Sequence, residues 1–240
     1  MTMSRLTHHI SHQFDKELED IRSKVLAMGG LVEEHIHKVL ECFTKGDFDE
    51  AEYVAVNDFK VNALEVEIDD DCTEILLRRQ PAATDLRLVL SVSKTITDLE
   101  RIGDEAEKIA RLVLNLRGSG GISSYYMGML SMGHHVRRMV RAALDAFARM
   151  DSESAFRIAQ EDREIDAETD AIMRYLITYM MEDPRSITRV LDAVLSVRAF
   201  ERIGDHARNI CENVIYLVEG KDVRHVALEQ VEQELRRDAE

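Results

Sequence analysis

Glu100-Arg101-Ile102-Gly103-Asp104 returns as Glu201-Arg202-Ile203-Gly204-Asp205, 101 positions later. Around each copy apolar residues recur every three to four positions. They are Leu86, Val89, Ile96, Ile102, Ile109 and Val113 in the first, and Ile187, Val190, Val194, Val197, Ile203, Ile210 and Val214 in the second. That is the period of an amphipathic helix. Residues four apart share a helix face, so Glu100 stands beside Asp104 and Glu201 beside Asp205. Like charges so placed cost an isolated helix roughly 0.2–0.5 kcal/mol per pair, and the intervening glycine costs about 1 kcal/mol relative to alanine. A chain that carries both penalties at matched places in two repeats gains something there: a bound cation or a close partner helix.

Upstream of the first copy, Phe14, Leu18, Ile21, Val25, Met28, Val32, Ile36, Val39 and Phe43 predict a first helix that Gly46 closes. Asp47 with Glu50 three residues on reads as a capping-box-like start. The second helix it opens runs through Val54, Val61, Leu64, Ile68 and Ile75 to Leu76, and Pro81 ends it. A third begins near Thr84 and carries the motif up to Gly118-Ser119-Gly120-Gly121, a flexible-linker composition. The pattern then repeats at an offset of 104. Leu26-Ala27-Met28-Gly29 corresponds to Leu130-Ser131-Met132-Gly133, Leu40 to Leu144, Asp47 to Asp151, Asp58 to Asp162 and Asn62 to Asp166. The expected fold is all-α, two tandem three-helix bundles with six long helices in an elongated molecule. Its parts are a first bundle over 1–117, a linker over 118–121, a second bundle over 122–218 and a C-terminal tail over 219–240.

Composition narrows the function. Of 240 residues 45% are hydrophobic and 32% charged, which is globular, and the net charge of -15 disfavours nucleic acid or an anionic membrane surface as a direct partner. No apolar run approaches a bilayer span and the N-terminus has no signal-peptide apolar region, so a cytoplasmic protein without membrane insertion is expected. Cys42, Cys72 and Cys211 lack the spacing of a zinc or redox site and are read as reduced thiols. No phosphate loop, dinucleotide fingerprint or nucleophile–base pair is present.

Antiparallel packing of the second and third helices would set Asp58 and Asn62 against Glu100 and Asp104, and Asp162 and Asp166 against Glu201 and Asp205. Two carboxylates at 4 Å repel by about 4 kcal/mol at an effective dielectric of 20. Such a cluster protonates, attracts arginine or holds metal. An all-oxygen set suits a hard cation. The bland alternative is a solvated acidic face with salt bridges from Lys60, Arg87 or Arg163. Glu34-x-x-His37 has di-iron spacing but lacks a second copy. His134-His135, together with His8, His9 and His12, read as exposed polar residues. Arg137, Arg138 and Arg141 read as a basic strip, and Gly103 and Gly204 also admit a role as points of close helix approach.

Paired Glu-Arg-Ile-Gly-Asp motifs on the last helices of two three-helix repeats resemble the PhoU family. Arg78-Arg79-Gln80-Pro81, Asp85-Leu86-Arg87, Thr178-Tyr179-Met180-Met181-Glu182-Asp183 and Arg224-His225 extend the resemblance over nearly the whole chain. It implies a non-enzymatic negative regulator of phosphate uptake and of the phosphate regulon, cytoplasmic and homodimeric. The implied partners are the sensor histidine kinase PhoR and the transporter nucleotide-binding subunit PstB. It further implies divalent or trivalent metal ions (Mg, Mn, Fe or Zn) on Asp58, Asn62, Glu100 and Asp104, and on Asp162, Asp166, Glu201 and Asp205. Because Asn62 stands where the second half has Asp166, the second site is expected to bind at least as tightly. The competing reading is a metal-dependent carboxylate-bundle enzyme or metal store.

Overall fold

The computed structural model describes residues 12–46, 48–115, 117, 126–224 and 226. These form α1 (His12–Lys45), α2 (Phe48–Asn57), α3 (Phe59–Arg79), α4 (Ala83–Leu114), α5 (Tyr126–Arg149), α6 (Ser152–Gln160), α7 (Asp162–Glu182) and α8 (Ile187–Glu219), with a 3-10 turn at Pro184–Ser186 before α8. Among the described residues there is no strand. The expected stripe of α1 is buried along its whole length, from Phe14 to Phe43. Gly46, at φ 69°, stops the helix with its N–H on the Cys42 carbonyl, the left-handed cap that glycine adopts without a Cβ penalty. Gln80 at φ 49° ends α3 just before Pro81. Asp151 caps α6 by accepting from the Ser154 N–H at 2.9 Å, a contact worth about 1 kcal/mol. Its counterpart Asp47 and the Gly118–Gly121 stretch lie outside the described residues.

In both halves the second of the three long helices tightens at one point along its length. α2 gives way to α3 at Asp58, and α6 to α7 at Glu161. Both residues keep right-handed helical angles, but the turns tighten. The Asp58 carbonyl takes the Val61 N–H at 2.8 Å, and that of Glu161 takes Glu164 N–H at 2.9 Å, i to i+3 bonds of 3-10 type. The cause is tertiary, because each tightened turn lies where the second helix meets a motif glycine. A Cβ on Gly103 would come within 3.0 Å of Asp58 Oδ1 and 3.1 Å of Val61 Cγ1; one on Gly204 would come within 3.3 Å of Ile165 Cγ2. The close-approach reading of those glycines is therefore what the structure displays.

The halves share a core. α1, α4, α5 and α8 pack together, with α2 and α3 against α1 and α4, and α6 and α7 against α5 and α8. α4 and α8 run antiparallel: Ser91 donates to the Asn213 carbonyl, Asp98 pairs with His206 at 2.9 Å, and Glu105 with Arg202 at 2.8 Å. The two motifs thus lie side by side at the middle of this crossing. α1 and α5 interlock reciprocally, since the Leu144 side chain fills the space over Gly29 and the Leu40 side chain that over Gly133. Arg137 adds an ion pair to Glu33 at 3.0 Å, so the basic strip in part pins α5 to α1. Leu86 and Ile187, expected in the core stripe, are 36% and 42% exposed. The inward direction is taken instead by Leu88, Val89 and Val92 on α4, and by Val190, Ala193 and Val197 on α8.

Candidate functional site

At 100° per residue, Asp98 and Glu105 face α8 while Glu100, Asp104 and Glu107 point the opposite way, toward α3. There the tightened turn at Asp58 delivers a carboxylate that is 6% exposed. Asp58 Oδ1 is buried with no hydrogen-bond partner. Burial, then Glu107 and Asp104, push its pKa up to about 6, against a hydrogen bond from Asn62. Burial and Asp104 raise that of Glu100, and burial raises that of Asp104 in spite of Arg101. Arg101 stands 3.4 Å from Glu100 and 3.6 Å from Asp104. The four residues singled out in the first half, Asp58, Asn62, Glu100 and Asp104, are thus within electrostatic reach of one another.

The second half has the same frame with a different content. Asp162 is 4% exposed, and Arg208 holds it at 2.6 Å. Burial, then Asp162, raise the pKa of Asp205, and burial, Asp162 and Glu201 raise that of Asp166. Glu201 is bound by Arg198 at 2.7 Å. Lys60 and Arg87, named as candidate counter-ions, are engaged elsewhere. Lys60 lies over the Tyr53 ring, and Arg87 donates to Thr84 and to the Leu217 carbonyl. Arg208 escaped the sequence reading, although its position one turn beyond Asp205 on the same face was a usable signal.

The donor chemistry fits a hard cation, and the orphaned Asp58 Oδ1 is the observation that supports the fit, since a buried carboxylate oxygen without a partner costs free energy until something positive meets it. Among the described residues no three His, Cys, Asp or Glu side chains form a group closed enough to hold an ion as they stand. Binding would therefore draw the partly exposed Glu100 and Asp104 inward.

Other candidates resolve differently. His135 is buried, not exposed, and lies 2.8 Å from Glu168 and 3.5 Å from Glu161, because its face of α5 turns toward α7. Glu34 of the Glu-x-x-His spacing lies 3.7 Å from Lys38. Cys42, Cys72 and Cys211 are free and buried; burial pushes the Cys72 thiol up to about 12 and raises that of Cys211, so neither of these two is a reactive thiolate at neutral pH. Sequence reading also missed the buried polar clamp in which Asp98 accepts from Asn209 at 3.1 Å and Asn213 at 3.3 Å beside His206.

A sequence model described as the PhoU domain matches residues 25–113 and again 129–214, the two repeats seen in the helices. The phosphate-specific transport system accessory protein PhoU homolog of Pseudomonas putida is 52% identical over 96% of this chain and 90% of its own length. The accessory protein PhoU of Escherichia coli K12 is 46% identical over 97% and 96%. The crystal structure of PhoU from Pseudomonas aeruginosa superposes with a TM-score of 0.84 at 50% identity, covering 87% of this chain and all (100%) of that one. The phosphate transport system regulatory protein PhoU from Streptococcus pneumoniae gives 0.81 at 32% identity, over 88% and 99%. By its two domain matches and its near-complete relatives, this chain belongs to the PhoU family.

Proposed function

We propose that this chain is a non-catalytic regulator of phosphate transport and of the phosphate-starvation response, acting in the cytoplasm by protein contact. The observation that carries the reading is the match of both repeats, over nearly the whole chain, to proteins named as accessory or regulatory components of the phosphate transport system. A contact role also suits the surface. Leu86 and Leu90 on α4, and Ile187, Leu191 and Leu195 on α8, are exposed apolar side chains on long helices, the kind of surface that partner binding uses. No helix among the described residues is long and apolar enough to cross a membrane. The proposed partners are a sensor histidine kinase of the PhoR kind and a transporter nucleotide-binding subunit of the PstB kind, with the chain as a homodimer. A differential affinity of about 1–3 kcal/mol for one state of a two-state partner moves its equilibrium by roughly 5–150-fold, so modest contacts suffice.

In the metal part of the reading, Asp58, Asn62, Glu100 and Asp104 hold an ion in the first half, and Asp162, Asp166, Glu201 and Asp205 are the matching set. A bound cation would supply the charge that Asp58 Oδ1 lacks and tie α3 to α4. Deleting the gene is expected to leave phosphate-starvation genes active in phosphate-rich medium. A phosphate-responsive reporter that stays repressed in the deletion strain, with no second gene of this family present, would contradict the regulatory reading.

A further inference from the structure

The two halves are not equivalent at their acidic clusters, and the reason is an inverted charge pair. One turn beyond each motif the first half has Glu107 with Arg111, and the second has Arg208 with Glu212, at matching positions 101 residues apart. Both are ion pairs four residues apart, at 2.5 Å for Arg111–Glu107 and 3.4 Å for Arg208–Glu212. Inversion moves the arginine one turn, about 5–6 Å along the axis, toward the motif. In the first half the guanidinium sits at the far position, a carboxylate takes the near one, and Asp58 Oδ1 is left without a partner. In the second the guanidinium takes the near position and reaches the buried Asp162 at 2.6 Å. Arg208 is itself part-buried there, with a side chain 38% exposed.

Resting on the reading that these clusters bind metal, the geometry points to Arg208 as a built-in cation that occupies the second cluster, leaving the first as the cluster open to a hard divalent ion. This reverses the ranking that ligand charge alone gives, in which Asp166 against Asn62 favours the second half. A cation entering the second cluster has to displace a charge-assisted hydrogen bond, which at a buried carboxylate is worth more than at the surface. One entering the first meets no arginine on Asp58, displaces only the half-exposed Arg101 from Glu100 and Asp104, and gives Asp58 Oδ1 its missing partner.

The test uses Mn²⁺ alone as the probe, with the full chain loaded, desalted and its metal content measured by elemental analysis, and circular dichroism melting of every variant to verify folding. Asp58→Asn is expected to bring bound Mn²⁺ to the desalted baseline, while Asp162→Asn leaves it at the wild-type level. Inverting the pair by Arg208→Glu with Glu212→Arg, which keeps net charge and the four-residue pairing, is expected to raise Mn²⁺ per chain. Adding Asp162→Asn is expected to abolish that gain. Loss of Mn²⁺ in Asp162→Asn equal to that in Asp58→Asn, or no gain in the inverted chain, overturns the role of Arg208 and leaves metal binding standing. No Mn²⁺ above baseline in the wild type or in any folded variant removes the metal reading itself, and this inference with it.

Discussion

His35 is fully buried, 0% exposed, and neither ring nitrogen has a hydrogen-bond partner. Its ring meets Tyr53 edge-on. Burial lowers its pKa from the ordinary 6.5; Glu34 opposes that shift, while Lys38 and Lys60 reinforce it. The consequence for stability has a definite sign. Above about pH 6.5 the ring is neutral folded or unfolded and contributes nothing to pH dependence. As pH falls below that value the unfolded chain takes a proton that the folded chain refuses, so stability drops, by up to about 1.4 kcal/mol per pH unit, until the folded ring titrates. Urea unfolding at pH 7.5 and 5.5 should show the wild type losing more stability than His35→Leu between the two, by at most about 1.4 kcal/mol. Equal losses would mean that the ring is solvated or paired in solution. At this scale the motif carboxylates were legible, because a four-residue spacing fixes a helix face without any knowledge of neighbours. The burial of His35 and His135 was not, because it depends on which helix covers that face.

Gly29 and Gly30 are adjacent on α1 and opposite in consequence. A Cβ on Gly29 would meet Leu144 Cδ2 at 2.5 Å, whereas one on Gly30 meets nothing within 4 Å. Gly30→Ala gains helix propensity alone and should stabilise by about 0.5–1 kcal/mol. Gly29→Ala must push Leu144 out of its seat between the halves, and overpacking of that kind costs roughly 1–3 kcal/mol. The contrast is read from the denaturation midpoints of the two variants, and a Gly29→Ala chain as stable as Gly30→Ala would show that the α1–α5 contact is slack. Period and punctuation made α1, α4, α5 and α8 legible, as Gly46 and Pro81 mark true ends. The tightened turns at Asp58 and Glu161 left no such mark: neither residue is proline or glycine, and the turns come from the approach of another helix to Gly103 and Gly204.

On the scale of the whole molecule the repeat gave two three-helix units, and the structure adds that neither unit keeps its core to itself. The face of α4 that carries Asp98 and Glu105 is closed by α8 through His206, Asn209, Asn213 and Arg202. Gly29 and Gly133 each receive a leucine from the other half. A repeat reports that two units are alike but not how they meet, so this joint was legible only as matched letters whose reciprocity needed coordinates. Its consequence can be measured. Because the buried surface between the halves is continuous with each half's interior, the covalent connection through Gly118–Gly121 is not what keeps them together. With a protease site placed at Gly120 and cut in the folded protein, the two fragments should co-elute in gel filtration at the position of the uncut chain, with unchanged helical circular dichroism. Cutting frees the closure entropy of one covalent connection, a cost that grows only as about (3/2)RT ln n, whereas separating the halves would uncover the leucines, valines and isoleucines of four long helices at about 25 cal/mol per Å². Fragments that elute apart while still helical would mean that each bundle is self-sufficient and the shared core weak.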